Sequence, residues 1–169
     1  MIKYFLVLFF TTTFTFFSNY TILAQEKKFI EVNPDSLVAF VKTFLGTPYV
    51  WAGCEPGGFD CSGFVYYVYN HFGISTTHNS YDFPQFGVPI SIDSCKTGDI
   101  ILFTRENSKS KKIGHVGIVI SKMGEPLTFI QASSSKKHGG VVITDYAKSK
   151  YEKRFVGIIR LTIPAGNSD

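Results

Sequence analysis

The sequence predicts an α+β domain, with N-terminal helices packed on one face of an antiparallel sheet of five to six strands. Three observations carry this. Apolar residues at helical spacing come first in the chain. Short runs rich in β-branched and aromatic residues follow, separated by turn residues. Helices first and an antiparallel meander after them place the helices on one face of the sheet.

The first helix is expected over 33–46. Asn33 is a fit N-cap and Pro34 suits the first helical position. Leu37, Phe40, Val41 and Phe44 form one apolar stripe, and Gly46 closes the helix. Residues 47–59, with Pro48, Gly53, Pro56, Gly57 and Gly58, read as a loop. The second helix is expected from Cys61 to Phe72, capped by Asp60 and ended by Gly73. Its apolar face is Phe64, Val65, Val68 and Phe72, and Cys61 lies on that face. The thiol therefore points at whatever the helix packs upon. It sits in a first turn whose unpaired N–H groups and macrodipole favour an anion.

Strands are expected at Asp99–Phe103, entered through Thr97-Gly98, and at His115–Ile120 and Leu127–Ala132, a hairpin around Met123-Gly124. Val141–Thr144 and Arg154–Ile163 complete the set, with a polar loop over 105–112. There is no repeat and no internal linker, so residues 25–169 read as one domain.

Composition narrows the function classes. A hydrophobic fraction of 44% against 18% charged residues supports a packed core and excludes disorder. A formal net charge of +4 is far short of a nucleic-acid footprint. Lysines cluster at 109–112, 136–137 and 148–153. Such runs are solvated loops and edges, or contacts to an anionic polymer such as a bacterial wall. Residues 1–24 read as an export signal: Lys3, an apolar stretch from Tyr4 to Phe17, a break at Ser18-Asn19-Tyr20, and Ile22-Leu23-Ala24 before Gln25. An uncleaved membrane anchor is the alternative, weakened by the threonines and Asn19. Membrane contact is expected through this segment alone.

Export permits a disulfide, and the three cysteines, Cys54, Cys61 and Cys95, leave at least one thiol free. A Cys54–Cys95 bridge is the one pairing compatible with a working Cys61; the alternative is that both are free. No CxxC pair and no His at zinc-ligand spacing is present, so no metal site is expected. The hairpin adds a base. Centring its turn near Met123 puts His115 opposite Gln131, on one face of the sheet. A helix bearing Cys61 at its N-terminus completes a Cys–His–amide constellation. An imidazolium and the helix end would lower the thiol pKa from about 8.5, and Gln131 would fix the tautomer of an ion-paired His115 without adding charge. Gly63 and Gly117 would leave room for a substrate backbone. Each residue alone also has a plain structural reading: a buried thiol, a strand histidine, a cross-strand pair.

Five blocks then carry a resemblance: Pro48-Tyr-Val-Trp-Ala-Gly, Gly58-Phe-Asp-Cys-Ser-Gly-Phe-Val, Thr97-Gly-Asp-Ile-Ile-Leu-Phe, Gly114-His-Val-Gly-Ile-Val-Ile and Phe129-Ile-Gln-Ala-Ser-Ser-Ser. In this colinear order the chain resembles the NlpC family of bacterial cell-wall peptidases, a papain-like group. The resemblance implies a papain-like fold, with Cys61 as nucleophile, His115 as base and Gln131 as the third polar residue, where the family commonly has His. It implies that Tyr49 lines the site as a possible oxyanion donor. It also implies that Asp60 and Ser62 hold the free amine of a stem peptide's first alanine, and that Ser80 faces the cleft. His78 and Asn79 depart from the family's Arg-Thr or Arg-Ser, and Ala52 and Cys54 from its Gly and Thr or Ser. The implied activity is hydrolysis of peptidoglycan stem peptides or muropeptides at the γ-D-glutamyl–diamino acid bond, typically diaminopimelate. It would need no metal or organic cofactor, in an exported, monomeric enzyme. An amidase or acyltransferase on the same scaffold, or a silent wall-binding module, stays open.

Overall fold

The computed structural model describes residues 29–105, 112–137 and 139–162. The expected export signal lies outside these residues. Among them, no helix is long and apolar enough to cross a membrane.

The first helix, α1, runs Pro34–Lys42, with the Asn33 side chain accepting from Ser36 N–H at 2.9 Å. It stops four residues short of expectation, because residues 43–46 tighten into turns that end at Gly46 with φ +84°. The segment read as a loop folds into a minimal hairpin, β1 (Cys54–Glu55) against β2 (Gly58–Phe59). The second helix, α2, runs Cys61–His71, with Asp60 accepting from Gly63 N–H at 2.7 Å. The main sheet comprises β3 (Gly87–Ile90), β4 (Ile100–Thr104), β5 (Ile113–Val119), β6 (Thr128–Ser133), β7 (Gly140–Asp145) and β8 (Phe155–Leu161). Its order is β3-β8-β4-β5-β6-β7, all pairs antiparallel.

The α+β class and the six strands agree with expectation, while the topology is more than a meander. The last strand returns to lie between β3 and β4, and β3 was not anticipated. Arg154, expected to open the last strand, instead ends a 3-10 turn over Lys150–Arg154.

Both faces of the sheet are covered. Leu37 and Val41 of α1 and Phe64, Val65 and Val68 of α2 share one core with Ile100, Leu102, Val116, Ile118, Ile130 and Ala132. The alternate residues Ile101, Phe103, Val119, Phe129 and Ile158 form a second, smaller core with Cys95. All three cysteines are free, so the Cys54–Cys95 bridge is not formed. Cys95 is buried in that second core, whereas Cys54 stands in the β1–β2 hairpin.

At the entrance to β4 the buried Asp99 accepts from Arg160 Nε at 2.8 Å and Nη2 at 2.9 Å, and from Lys96 N–H at 2.8 Å. The pair ties β4 to β8 and holds the Gly98 turn. Losing one partner of a buried ion pair costs about 3–5 kcal/mol. Asp99→Ala is therefore expected to lower stability by that order in urea unfolding; a loss under about 1 kcal/mol would mean that the pair is effectively solvated.

Candidate active site

The N-terminus of α2 meets the start of β5 at a cleft of about 700 Å³ lined by Tyr49, Asp60, Cys61, Ser62, Ser80 and His115. Gln131 lies just behind it, lining an adjoining hollow with His115. All seven residues singled out from the sequence thus gather at one place.

Cys61 is 8% exposed and packs into the helix-side core. Burial pushes its thiol up to about 11, and the Asp60 charge pushes the same way. The backbone N–H groups of Val116, Ser62 and Cys61 itself pull it down by less. The Val116 contact places the sulfur beside the residue that follows His115. Burial pushes the His115 imidazole down to about 4; the hydrogen bond to Gln131 opposes this and the nearby Arg154 charge reinforces it. Both shifts run against the expected thiolate–imidazolium pair, because desolvation outweighs the helix end.

The β5–β6 register pairs Ile118 with Ile130 and Val119 with Phe129. Continued along the strands, it sets Gln131 opposite Gly117 and His115 opposite Ser133. The direct His115–Gln131 pairing is thus off by two residues, because the turn centres on Gly124, with φ +82°, rather than on Met123. A slip of two keeps both side chains on one face. They meet diagonally, with Nε2 of His115 hydrogen-bonded to Oε1 of Gln131. Gly117 makes the diagonal possible: a Cβ there would lie 2.8 Å from the Phe129 ring and 3.4 Å from Gln131 Cβ. The amide's other end is partnered too, Gln131 Nε2 donating to Thr144 Oγ1 at 2.8 Å. With the carbonyl end toward the ring, Nε2 of His115 carries the proton and Nδ1 keeps its lone pair. Tyr151 stacks on the imidazole, ring centres 5.5 Å apart.

Asp60 does more than cap. Its Oδ1 lies 3.0 Å from Ser62 Oγ, and both oxygens lie 3.2 Å from Nε2 of His78. Ser62 Oγ also reaches the His78 carbonyl at 3.2 Å. Gly63 is needed by the protein's own backbone rather than by substrate. A Cβ there would sit 2.0 Å from the Gly53 carbonyl oxygen, which accepts from Asp60 N–H at 2.8 Å. Gly117 is likewise filled from within, which corrects the expected substrate access at both glycines. Burial, with the charges at Cys61 and Asp60, pushes the half-buried Tyr49 phenol up to about 12, so it stays an O–H donor. Ala52 lines the cleft at φ +57°.

Sequence reasoning missed His78 as the partner of Asp60, and also Arg105, which lines the cleft, Thr144, Tyr151 and Arg154. The departure at His78 was the one available signal; the others arrive from distant strands and turns with no local pattern.

The NlpC/P60 family pattern matches residues 46–160, more than half of the chain. The chain belongs to the NlpC/P60 family. It is 33% identical over 117 residues to a γ-D-glutamyl-L-lysine dipeptidyl-peptidase of Bacillus subtilis, covering 69% of this chain and 37% of that protein. Its fold matches an NlpC/P60 family protein of Bacillus cereus with a TM-score of 0.67 and 28% identity, over 80% of this chain and 42% of that one. It also matches the NlpC/p60 domain of the peptidoglycan hydrolase SagA, with a TM-score of 0.60 and 27% identity, over 77% of this chain and all of that domain. The chain thus spans little more than a third of the Bacillus subtilis relative.

Two predictions follow from the electrostatics and backbone of this NlpC/P60 site. Asp60→Asn keeps the cap and removes the charge, so alkylation of Cys61 by iodoacetamide, read on its own peptide by mass spectrometry, is expected to move to lower pH. An unmoved profile would leave burial as the whole cause. Ala52→Gly relieves a left-handed residue and is expected to stabilise the fold by about 1 kcal/mol in urea, with a loss of stability as the contrary result.

Proposed function

We propose that this chain is an exported cysteine-type endopeptidase of peptidoglycan stem peptides, cleaving the γ-D-glutamyl–diamino acid bond. One observation carries the reading: a buried thiol at a helix N-terminus and an imidazole with an oriented tautomer open on one cleft. Family membership and the activity named for the Bacillus subtilis relative support it.

In this mechanism Nδ1 of His115 takes the Cys61 proton as the sulfur attacks the carbonyl carbon, so the ion pair forms during attack rather than before it. The N–H of Cys61, with the Tyr49 hydroxyl, stabilises the oxyanion. The protonated imidazole then gives its proton to the leaving amine, and water resolves the thioester with His115 again as base. Asp60 and Ser62 hold the free amine of the stem's first alanine, with Ser80 on the cleft wall. Gln131 orients the ring, and Thr144 orients Gln131.

Defined muropeptides with mass-spectrometric detection test this. Cys61→Ala is expected to abolish cleavage with the fold retained, and His115→Ala to lose at least ~10²-fold in kcat. Gln131→Ala should retain some turnover and Gln131→His more. Thr144→Val should fall between wild type and Gln131→Ala, with Thr144→Ser restoring the rate. Undiminished cleavage by Cys61→Ala would sink the mechanism, and wild-type rates in Gln131→Ala would place the orienting group elsewhere.

A further inference from the structure

Gln131 holds His115 by one corner of its ring. That corner is Nε2, which lies close to the Cβ–Cγ axis. Rotation about this axis is a broad, weakly restrained torsion in histidine. Turning the ring therefore moves Nε2 little, while it swings the lone pair of Nδ1 out of line with a proton donor. The plane of the imidazole needs a second restraint, and a contact on its face supplies one.

That contact comes from outside the sheet. Tyr151 belongs to the 3-10 turn Lys150–Arg154, remote in sequence from both β5 and β6. Its ring centre lies 5.5 Å from that of the imidazole, with 27° between the planes, an offset stack. Phe103, the cross-strand neighbour of His115, is less parallel, at 6.0 Å and 36°. Phe103 and Phe129 back the Tyr151 ring at 4.8 and 5.3 Å. The turn is tied down on both sides of that ring. Tyr151 N–H donates to Ser149 Oγ at 3.2 Å, and Arg154 donates twice to the Thr104 carbonyl, from Nε at 3.0 Å and Nη2 at 2.7 Å. The guanidinium so fixed lies 4.9 Å from the centre of the Tyr151 ring, within cation–π range. Tyr151 is nevertheless only half-buried, and it lines the hollow beside His115.

We propose that Tyr151 is a positioning residue for His115: its ring holds the plane of the imidazole while Gln131 holds the edge, so that Nδ1 stays aimed at Cys61. The face of the ring does this, not the phenol hydroxyl. The inference rests on the proposed function, in which His115 is the base, and deepens it by naming what keeps that base in line.

Two readouts on the full chain test it. The first needs no substrate: the rate of Cys61 alkylation by iodoacetamide at neutral pH, read on its own peptide by mass spectrometry and compared with that in His115→Ala. The second is kcat and KM on the defined muropeptides. Tyr151→Leu is expected to slow alkylation toward the His115→Ala level. It should also lower kcat about tenfold, part of what a general base contributes, with KM within about twofold of wild type. Tyr151→Phe keeps the ring and should restore both. A ring that served packing alone would lower the unfolding midpoint without separating kcat from KM. If Tyr151→Leu does not fold, as read by circular dichroism, Tyr151→Met takes its place. Alkylation in Tyr151→Leu as fast as in the wild type, a Tyr151→Phe variant as slow as Tyr151→Leu, or a loss confined to KM overturns the inference while leaving the proposed function standing. Alkylation of His115→Ala at the wild-type rate overturns it as well, since His115 would then not serve the thiol. If the wild type cleaves no muropeptide the proposed function fails, and the alkylation series still decides the inference.

Discussion

The carboxylate of Asp60 is the constraint on which the site depends. It caps α2 through Gly63 N–H and so fixes the first turn that carries Cys61. Its own N–H is held by the Gly53 carbonyl, and residue 63 must be glycine for that carbonyl to pass. The same carboxylate sits near the thiol and raises its pKa. Capping and activation therefore conflict: the group that places the sulfur also disfavours the thiolate. The fold settles the conflict in favour of placement. Burial and the Asp60 charge favour the neutral thiol, and burial favours the neutral imidazole on the same cleft.

The second constraint is register. His115 and Gln131 need to share a face of the sheet, and an antiparallel pair guarantees this for any even slip. Direct opposition is not required, because Gly117 clears the diagonal between them. The chain of bonds then runs outward across three strands, from His115 on β5 to Gln131 on β6 to Thr144 on β7. Each link restrains the side chain before it. A primary amide has two dissimilar ends, and the carbonyl end toward the ring goes with a proton on Nε2 of His115.

These dependencies explain what could be read before folding. Helix caps are local, so Asn33 and Asp60 were legible, and with them the position of Cys61. Strand parity is also local, so the shared face of His115 and Gln131 was legible although the turn centre was misplaced by one residue. The pairing of β3 with β8 joins segments some seventy residues apart and leaves no local trace. The direction of the thiol pKa was misread because it turns on burial, which no spacing reports. Gly63 and Gly117 were recognised as sites of close approach, but only the fold reveals that the approaching atoms belong to the protein. The lysines of 148–153 looked like a solvated run, and most of what they touch is solvent. Their place beside His115 follows from the 3-10 turn before β8, which aims Lys150, Lys153 and Arg154 at one hollow.

The two ends of the cleft carry opposite charge, and this bears on reactivity. After burial, the Asp60 carboxylate is what most disfavours the Cys61 thiolate, and the Arg154 charge adds to the burial that holds His115 neutral. In the proposed mechanism a substrate ammonium beside Asp60 would offset the carboxylate and make the thiol more acidic. That change would favour the proton transfer that starts the reaction. Burial then ceases to be only a penalty, because excluding water strengthens the interaction of the substrate charge with its partner. In that reading one carboxylate serves twice: it positions the sulfur through the helix cap, and its neutralisation by a substrate ammonium would release the thiol for reaction.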